Sequence, residues 1–446
     1  MRWSMPLSFV LLASTLSCSE AAQEPTEPPC TTTKRPIVAV HGFLASGDTY
    51  ATQAQRFADN GYCLRSVHAF DWNTLGEKKT EDNVAELDAF IDEVRKSEGV
   101  DKVDLMGHSA GGGLGYSYLA DPTRAAKVAH YAHLASFRQP DQNTPARPAG
   151  PNGEVPTLNV YSDADLIVQD KGDIPGATNV HLTTSDHYAT ATGPETFAAL
   201  YRFFNDGEEA KVFLFKKVPS PPNTWISGKA LTLGGNQPEV GAIVEVYRLD
   251  ETGERSGSAW RSFTTNAKGE WGPLALVADS SSRFEMVVKP KDPDAKAVHY
   301  YFEPFTRSNH LLRLRTIPND QGIAGSLLST VNYDDAHSVV IAFVANRGVI
   351  AGRDTLSING FNVATEELAP ASKNAIAFFA YDANGNGASE NTAISTFANF
   401  PFMGAIDSFM DTTKTGPIQV KLNDSTLNVR RWKSATEGPI VAVFND

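Results

Sequence analysis

An α/β fold built on a mostly parallel sheet, followed by all-β architecture of sandwich or barrel type, is predicted by three features of the chain. Strand-like and helix-like apolar patterns alternate from Pro36 to about Gly207, as they do when helices cover both faces of a parallel sheet. Beyond Val218-Pro219-Ser220-Pro221-Pro222 only short β-type runs separated by turn residues remain. The 446 residues also exceed what one compact core usually holds. The expected division is an export signal over 1–18, a tether over 19–35, the α/β domain over 36–208, a β-sandwich over 209–306 and a second β domain over 307–446.

Each element follows from its own pattern. Arg2 and the apolar run Leu7 to Leu16 form an export signal. Cys18, after Leu16-Ser17, resembles the acylated cysteine of a bacterial lipoprotein, although Thr15 stands where an aliphatic residue is preferred. Cleavage near Ser19 or Ala22 and free secretion is the alternative. The Pro-, Glu- and Thr-rich stretch from Ser19 to Arg35 cannot bury a core. In an oxidising compartment Cys30 and Cys63 either pair or remain one exposed and one buried thiol.

Ile37-Val38-Ala39-Val40 is a short buried strand, and Cys63 to Val67 is a second candidate. Val84, Leu87, Ile91 and Val94 recur at helical spacing between Glu81 and Glu98. Lys102 to Met106, Val128 to Ala132, Thr157 to Tyr161 and Asn179 to Leu182 are further strands, and Phe197, Leu200, Tyr201 and Phe204 mark a closing helix. In the β-rich half the runs are Val240 to Leu249, Ser258 to Thr265, Phe284 to Val288, Val339 to Val344, Ala375 to Tyr381 and Ile440 to Phe444.

Composition excludes some functions. The net charge of −13 disfavours nucleic acid as a partner, since that affinity comes largely from neutralising phosphates. After the first twenty residues no apolar run is long enough to span a bilayer.

The chemistry lies in Gly107-His108-Ser109-Ala110-Gly111, between a strand and a helix. A serine on so tight a turn projects outward, and the helix beginning there favours developing negative charge. Its hydroxyl needs a base. Among ten histidines, His41 and His108 belong to the glycine turns and His68, His130 and His133 to strand ends. His181 lies within a strand, and His299, His310 and His337 lie in the β-rich half. His187 sits in the polar loop Thr183-Thr184-Ser185-Asp186, ahead of the last helix, and is the candidate base. An acid must hold that imidazole. Asp163 and Asp165 in Ser162-Asp163-Ala164-Asp165-Leu166-Ile167 compete, and Asp165, just before the aliphatic pair, is preferred. The backbone N–H of Ala110 and one from His41-Gly42-Phe43-Leu44 would form an oxyanion hole. Phe43 is chosen over Leu44 as the donor, and Leu44 is assigned to the substrate pocket.

VAVHGFLAS, VDLMGHSAGG, YSDADLIV and TNVHLTTSDH together resemble the small, essentially lidless bacterial lipases of the α/β-hydrolase fold. They are also similar to long-chain lipases that carry a C-terminal β-domain. The resemblance implies a catalytic triad of Ser109, Asp165 and His187, with Phe43 and Ala110 as oxyanion donors. It also implies hydrolysis of carboxylic esters, including acylglycerols, without a cofactor.

The short segment Arg138 to Val155 is Pro- and Gly-rich and supplies no large cap, so the site is expected to be open. Apolar surface for an acyl chain would then come from the β-rich half, where Phe397, Phe400, Phe402 and Phe409 cluster; the competing reading makes them core. Asp382-Ala383-Asn384-Gly385-Asn386-Gly387 has calcium-loop spacing, but Ala393 stands at the twelfth place. It is read as a hairpin turn, with no metal. The expected partner is a hydrophobic ester or lipid, with contact to a lipid interface and no obligate protein partner. A polyester depolymerase using the same residues, and an inert adhesin or carbohydrate-binding protein, are the competing functions.

Overall fold

The computed structural model describes residues 1, 26–76, 78–138, 145–212, 223–277, 282–318, 322–398 and 400–445. The export signal, Cys18 and the Val218-Pro222 linker lie outside the described residues.

Six parallel strands form the first sheet: β1 (Ile37–Val40), β2 (Val67–Phe70), β3 (Val103–His108), β4 (Val128–Leu134), β5 (Thr157–Ser162) and β6 (Thr178–Leu182). Their spatial order is β2-β1-β3-β4-β5-β6. The second strand starts later than expected, because Leu64–Ser66 form a 3-10 turn first. Helices α1 (Ala51–Asp59), α2 (Thr80–Glu98) and α3 (Ala110–Leu119) cover the sheet together with a helix at Pro194–Phe204. Alternation along β1 sets the two faces. Val38 and Val40 pack with Val84, Leu87, Ile91 and Val94 of α2, whereas Ile37 and Ala39 pack with Phe57, Phe197 and Phe204. This is the expected α/β class, and β-rich sheets follow it.

Strand pairing in the β-rich half does not follow a division at Arg307. One eight-stranded sheet runs in the order Met403–Asp407, Ala377–Tyr381, Val340–Val344, Ile440–Phe444, Val298–Phe302, Arg283–Lys289, Ile243–Leu249 and Arg261–Thr264. It therefore draws strands from both sides of that position. One face packs on a three-stranded sheet through Ile226, Trp271, Leu312 and Leu314. The other face, through Val340, Ala342, Phe378 and Ala442, packs on a four-stranded sheet carrying Leu356, Ile358, Val420 and Leu427. A strand buried on both faces reads as a continuous apolar run rather than an alternating one. Ile440-Val441-Ala442-Val443-Phe444 is such a run, and every residue of it is buried. The Asp382 loop is also not a hairpin, since the strands on either side of it, Ala377–Tyr381 and Met403–Asp407, pair in parallel.

Cys30 and Cys63 are bridged, with Cα atoms 5.7 Å apart. The last part of the tether is thereby fixed to the α/β domain.

The two halves are joined by Asp71, which follows β2. Its carboxylate accepts from Arg313 Nη2 at 2.9 Å and Nε at 2.9 Å, from Lys229 Nζ at 3.3 Å and from the Gly47 N–H at 2.8 Å. Burial pushes the Asp71 carboxyl up, but Arg313 and Lys229 outweigh it and hold it well below the ordinary carboxylate range. Arg313 and Asp71 are both almost fully buried, so removing one partner strands the other. Asp71→Ala is expected to cost about 3–5 kcal/mol in denaturant unfolding. Asp71→Ala combined with Arg313→Met should cost less than the single change. Because the folded-state value is depressed, the pair's contribution is fully present above the unfolded carboxylate value of about 3.9. It is lost as pH falls below that value toward the folded one. Acid titration of wild type against the double variant measures this difference.

Candidate active site

The sheet brings three loops together at its carboxyl edge. β3 ends at His108 and α3 begins at Ala110, so Ser109 alone makes the turn. It does so at φ 54° and ψ −122°, a conformation that costs a non-glycine residue free energy. The flanking glycines are required by close approach. A Cβ on Gly111 would sit 2.3 Å from the Val40 carbonyl oxygen, and one on Gly107 would sit 2.4 Å from that of Gly111. Ser109 is half-buried. Its carbonyl accepts from Ser136 Oγ at 2.8 Å, and its N–H donates to the Leu134 carbonyl at 3.0 Å.

His187 lies in the loop after β6, and its Nδ1 is 2.9 Å from Asp165 Oδ2. Both residues are 1% exposed. The other Asp165 oxygen accepts the N–H groups of Ile167 at 2.9 Å and Val168 at 3.2 Å. Burial raises the Asp165 carboxyl, but the His187 hydrogen bond and charge, with the two N–H groups, bring it below its usual range. It is therefore held as a carboxylate. Asp163 instead pairs with the exposed His181 at 2.8 Å, away from His187. Of the competing aspartates, only Asp165 is placed beside the candidate base.

His187 Nε2 is buried with no hydrogen-bond partner among the described residues. His108, adjacent to Ser109, has Nε2 3.1 Å from the His187 carbonyl, and the two rings are 4.6 Å apart. The serine and histidine loops are thus in contact. Burial, and then the neighbouring His187, hold His108 well below the ordinary imidazole range. Burial also pushes His41 and His133 down to about 4. These three rings are neutral at neutral pH.

In the loop after β1 the Leu44 N–H donates to Thr74 Oγ1 at 2.9 Å. The Leu44 side chain is buried and lines an apolar cavity shared with Leu233, Tyr300, Phe343, Phe402 and Met403. A smaller apolar cavity adjoins Leu44, Leu233, Phe400 and Met403.

The structure corrects the open site expected from the sequence. No helix occurs among the described residues of 138–155, but the C-terminal half covers the centre instead. The Phe402 ring stacks on His187 at 5.9 Å and 14°. Of the four phenylalanines singled out in the sequence, Phe397 and Phe402 are both buried, Phe397 against Phe379 and Phe402 at the first cavity, while half-buried Phe400 lines the smaller one and Phe409 lies beside His337. The Asp382 carboxylate accepts the N–H groups of Gly385, Asn386 and Gly387 and so closes its own loop. Among the described residues no cluster of three or more His, Cys, Asp or Glu could hold a metal.

Other residues around the centre carried no readable signal. Asn236, Arg353 and Asn374 touch the loops after β1 and β6 from positions up to 195 residues away in the chain. Neither spacing nor local pattern marks them.

Three family models match the chain. A lipase C-terminal domain model matches residues 223–318, and a second C-terminal domain model matches 341–446. A hydrolase model described as serine aminopeptidase, S33, matches 31–152. Among solved structures, a lipase of Bacillus licheniformis is 19% identical, with 41% of this chain and 96% of that chain covered and a TM-score of 0.32. An esterase of Rhodococcus sp. is 15% identical over 40% of this chain and 93% of that chain, with a TM-score of 0.31. Lipase B of Aspergillus fumigatus is 14% identical over 40% of this chain and 54% of that chain, with a TM-score of 0.30.

Proposed function

We propose that this enzyme, an α/β-hydrolase followed by a lipase-type C-terminal β-rich region, cleaves long-chain carboxylic esters through Ser109, His187 and Asp165. The observation that carries the reading is the buried 2.9 Å contact between His187 and Asp165, in the loop that touches the strained Ser109 turn. Ser109 Oγ attacks the ester carbonyl while His187 Nε2 takes its proton, and Asp165 holds the imidazole by Nδ1 and offsets its charge. The N–H groups of Ala110 and Phe43 receive the oxyanion. Phe43 is preferred over Leu44 because Thr74 already occupies the Leu44 N–H. As the tetrahedral intermediate collapses, protonated His187 gives that proton to the leaving oxygen, which departs as the alcohol. Water, deprotonated by His187, then attacks the acyl-serine, and His187 returns that proton to Ser109 Oγ as the carboxylic acid leaves.

The almost wholly apolar lining of the cavity beside Leu44 and Phe402 favours a flexible acyl chain over a polymer. Contact with a lipid interface belongs to the same proposal, because long-chain esters are insoluble in water. Export, with or without acylation at Cys18, fits the Cys30–Cys63 bridge.

Turnover of a p-nitrophenyl ester series from acetate to palmitate, beside a triglyceride emulsion and a polyester film, tests the function. Higher kcat/KM toward the long esters is expected, with little action on the film. Filling the cavity by Leu233→Trp should lower kcat/KM for palmitate by about tenfold or more and for acetate by about twofold at most. Equal losses on both esters would remove the cavity from the mechanism.

A further inference from the structure

The β-rich region does more at the centre than line a cavity. On one side, Asn236, in the turn after the strand Asn223–Thr232, is 3% exposed and spans the oxyanion loop. Its Nδ2 donates to the Ala45 carbonyl at 2.9 Å and the Trp72 carbonyl at 3.0 Å, and its Oδ1 accepts from Ser46 Oγ. On the other side, the residues flanking His187 are held from the far end of the chain. Arg353 Nη1 donates to Asp186 Oδ2 at 2.8 Å, and the Gly348 N–H donates to Asp186 Oδ1 at 3.3 Å. The Tyr188 N–H donates to Asn374 Oδ1 at 3.3 Å, and Thr192 Oγ1 donates to the Asn346 carbonyl. By contrast, the Ser109 backbone is bonded to Leu134 and Ser136, both of the α/β domain.

We infer that Asn236 and Arg353 are positioning residues, through which the β-rich region sets the oxyanion loop and the histidine loop around a serine that the α/β domain fixes by itself. Asp186 is 2% exposed and receives the Arg353 guanidinium, the Gly348 N–H and the Ala189 N–H. It is an anchor for the loop and not a partner of the imidazole, which Asp165 holds. Catalysis depends steeply on such placement, because displacing a reacting group by about 1 Å can cost about a hundredfold. Both residues act on the chemical step and on neither the acyl chain nor the leaving group. Their effect is therefore independent of substrate length, unlike that of the cavity residues.

This inference rests on the ester-hydrolase reading above, and the full-length chain separates the two. Arg353→Met, Arg353→Lys, Asp186→Asn and Asn236→Ala are compared with wild type by melting temperature and by kcat and KM on p-nitrophenyl acetate and palmitate. Arg353→Met and Asn236→Ala should lower kcat by about 10- to 100-fold equally on both esters, with KM changed by about twofold at most. Arg353→Lys should recover part of the loss, since it keeps the charge but not the fork. Asp186→Asn with Arg353→Met should be little worse than either change alone. If Arg353→Met fails to fold, Arg353→Lys and Asp186→Asn carry the test. Unchanged kcat in folded variants, a change in KM alone, or a loss confined to palmitate overturns the inference. A wild-type protein that turns over no ester overturns the functional reading instead.

Discussion

Ser109→Ala is expected to lower kcat by about five to six orders of magnitude on every ester and to abolish covalent labelling by an organophosphonate. The size reflects a chain of dependence. On the proposed mechanism there is no acyl-enzyme without the hydroxyl, so His187 and Asp165 have nothing to activate, and only binding and oxyanion stabilisation remain. A second measurement reads the same residue through stability. Ser109 sits at φ 54°, where a Cβ is strained and glycine is not. Ser109→Gly should therefore melt above Ser109→Ala, by about 1–3 kcal/mol of stability, though both are inactive. Equal stability of the two would mean the turn carries no strain. Residual turnover in Ser109→Ala approaching wild type would rule out Ser109 as the nucleophile.

How much of the fold and the site was legible in the sequence depends on how local each signal is. The Gly107 to Gly111 turn is written in five consecutive residues, because close backbone contacts forbid side chains at both ends. The strands of the first sheet are short apolar runs, the first four of them separated by helices, and each starts within a residue of where the pattern puts it, apart from the delayed start of β2. The β-rich half was harder to read. Its central sheet is buried on both faces by Ile226 and Leu314 on one side and Leu356 and Val420 on the other. Alternation therefore disappears, and sequence neighbours such as Val298–Phe302 and Asn309–Thr316 enter different sheets. A boundary at Arg307 looks natural along the chain but does not exist in the pairing. The cover over His187 was illegible for a similar reason. Phe402 is one phenylalanine among several, and only the fold selects it over Phe397 to lie on the imidazole.

The acid of the cluster gives the other large effect. Asp165→Asn should lower kcat by about four orders of magnitude while leaving KM and the fold nearly unchanged. The substitution keeps the shape and can keep one oxygen toward the Ile167 and Val168 N–H groups. It then turns an amide N–H₂ toward His187 Nδ1, which must act as acceptor, so the ring proton moves to Nε2. A base carrying its proton on Nε2 cannot take one from Ser109. The lost charge adds to this, since Asp165 is the carboxylate bonded to Nδ1 that offsets an imidazolium. Asp163→Asn supplies the contrast. Its carboxylate faces solvent beside His181, so kcat should stay within about twofold of wild type, as for most exposed pairs. The two aspartates are separated only by Ala164, and Asp165 alone stands directly before Leu166-Ile167. A large loss from Asp163→Asn and a small one from Asp165→Asn would mean that the loop is threaded the other way round in the working enzyme.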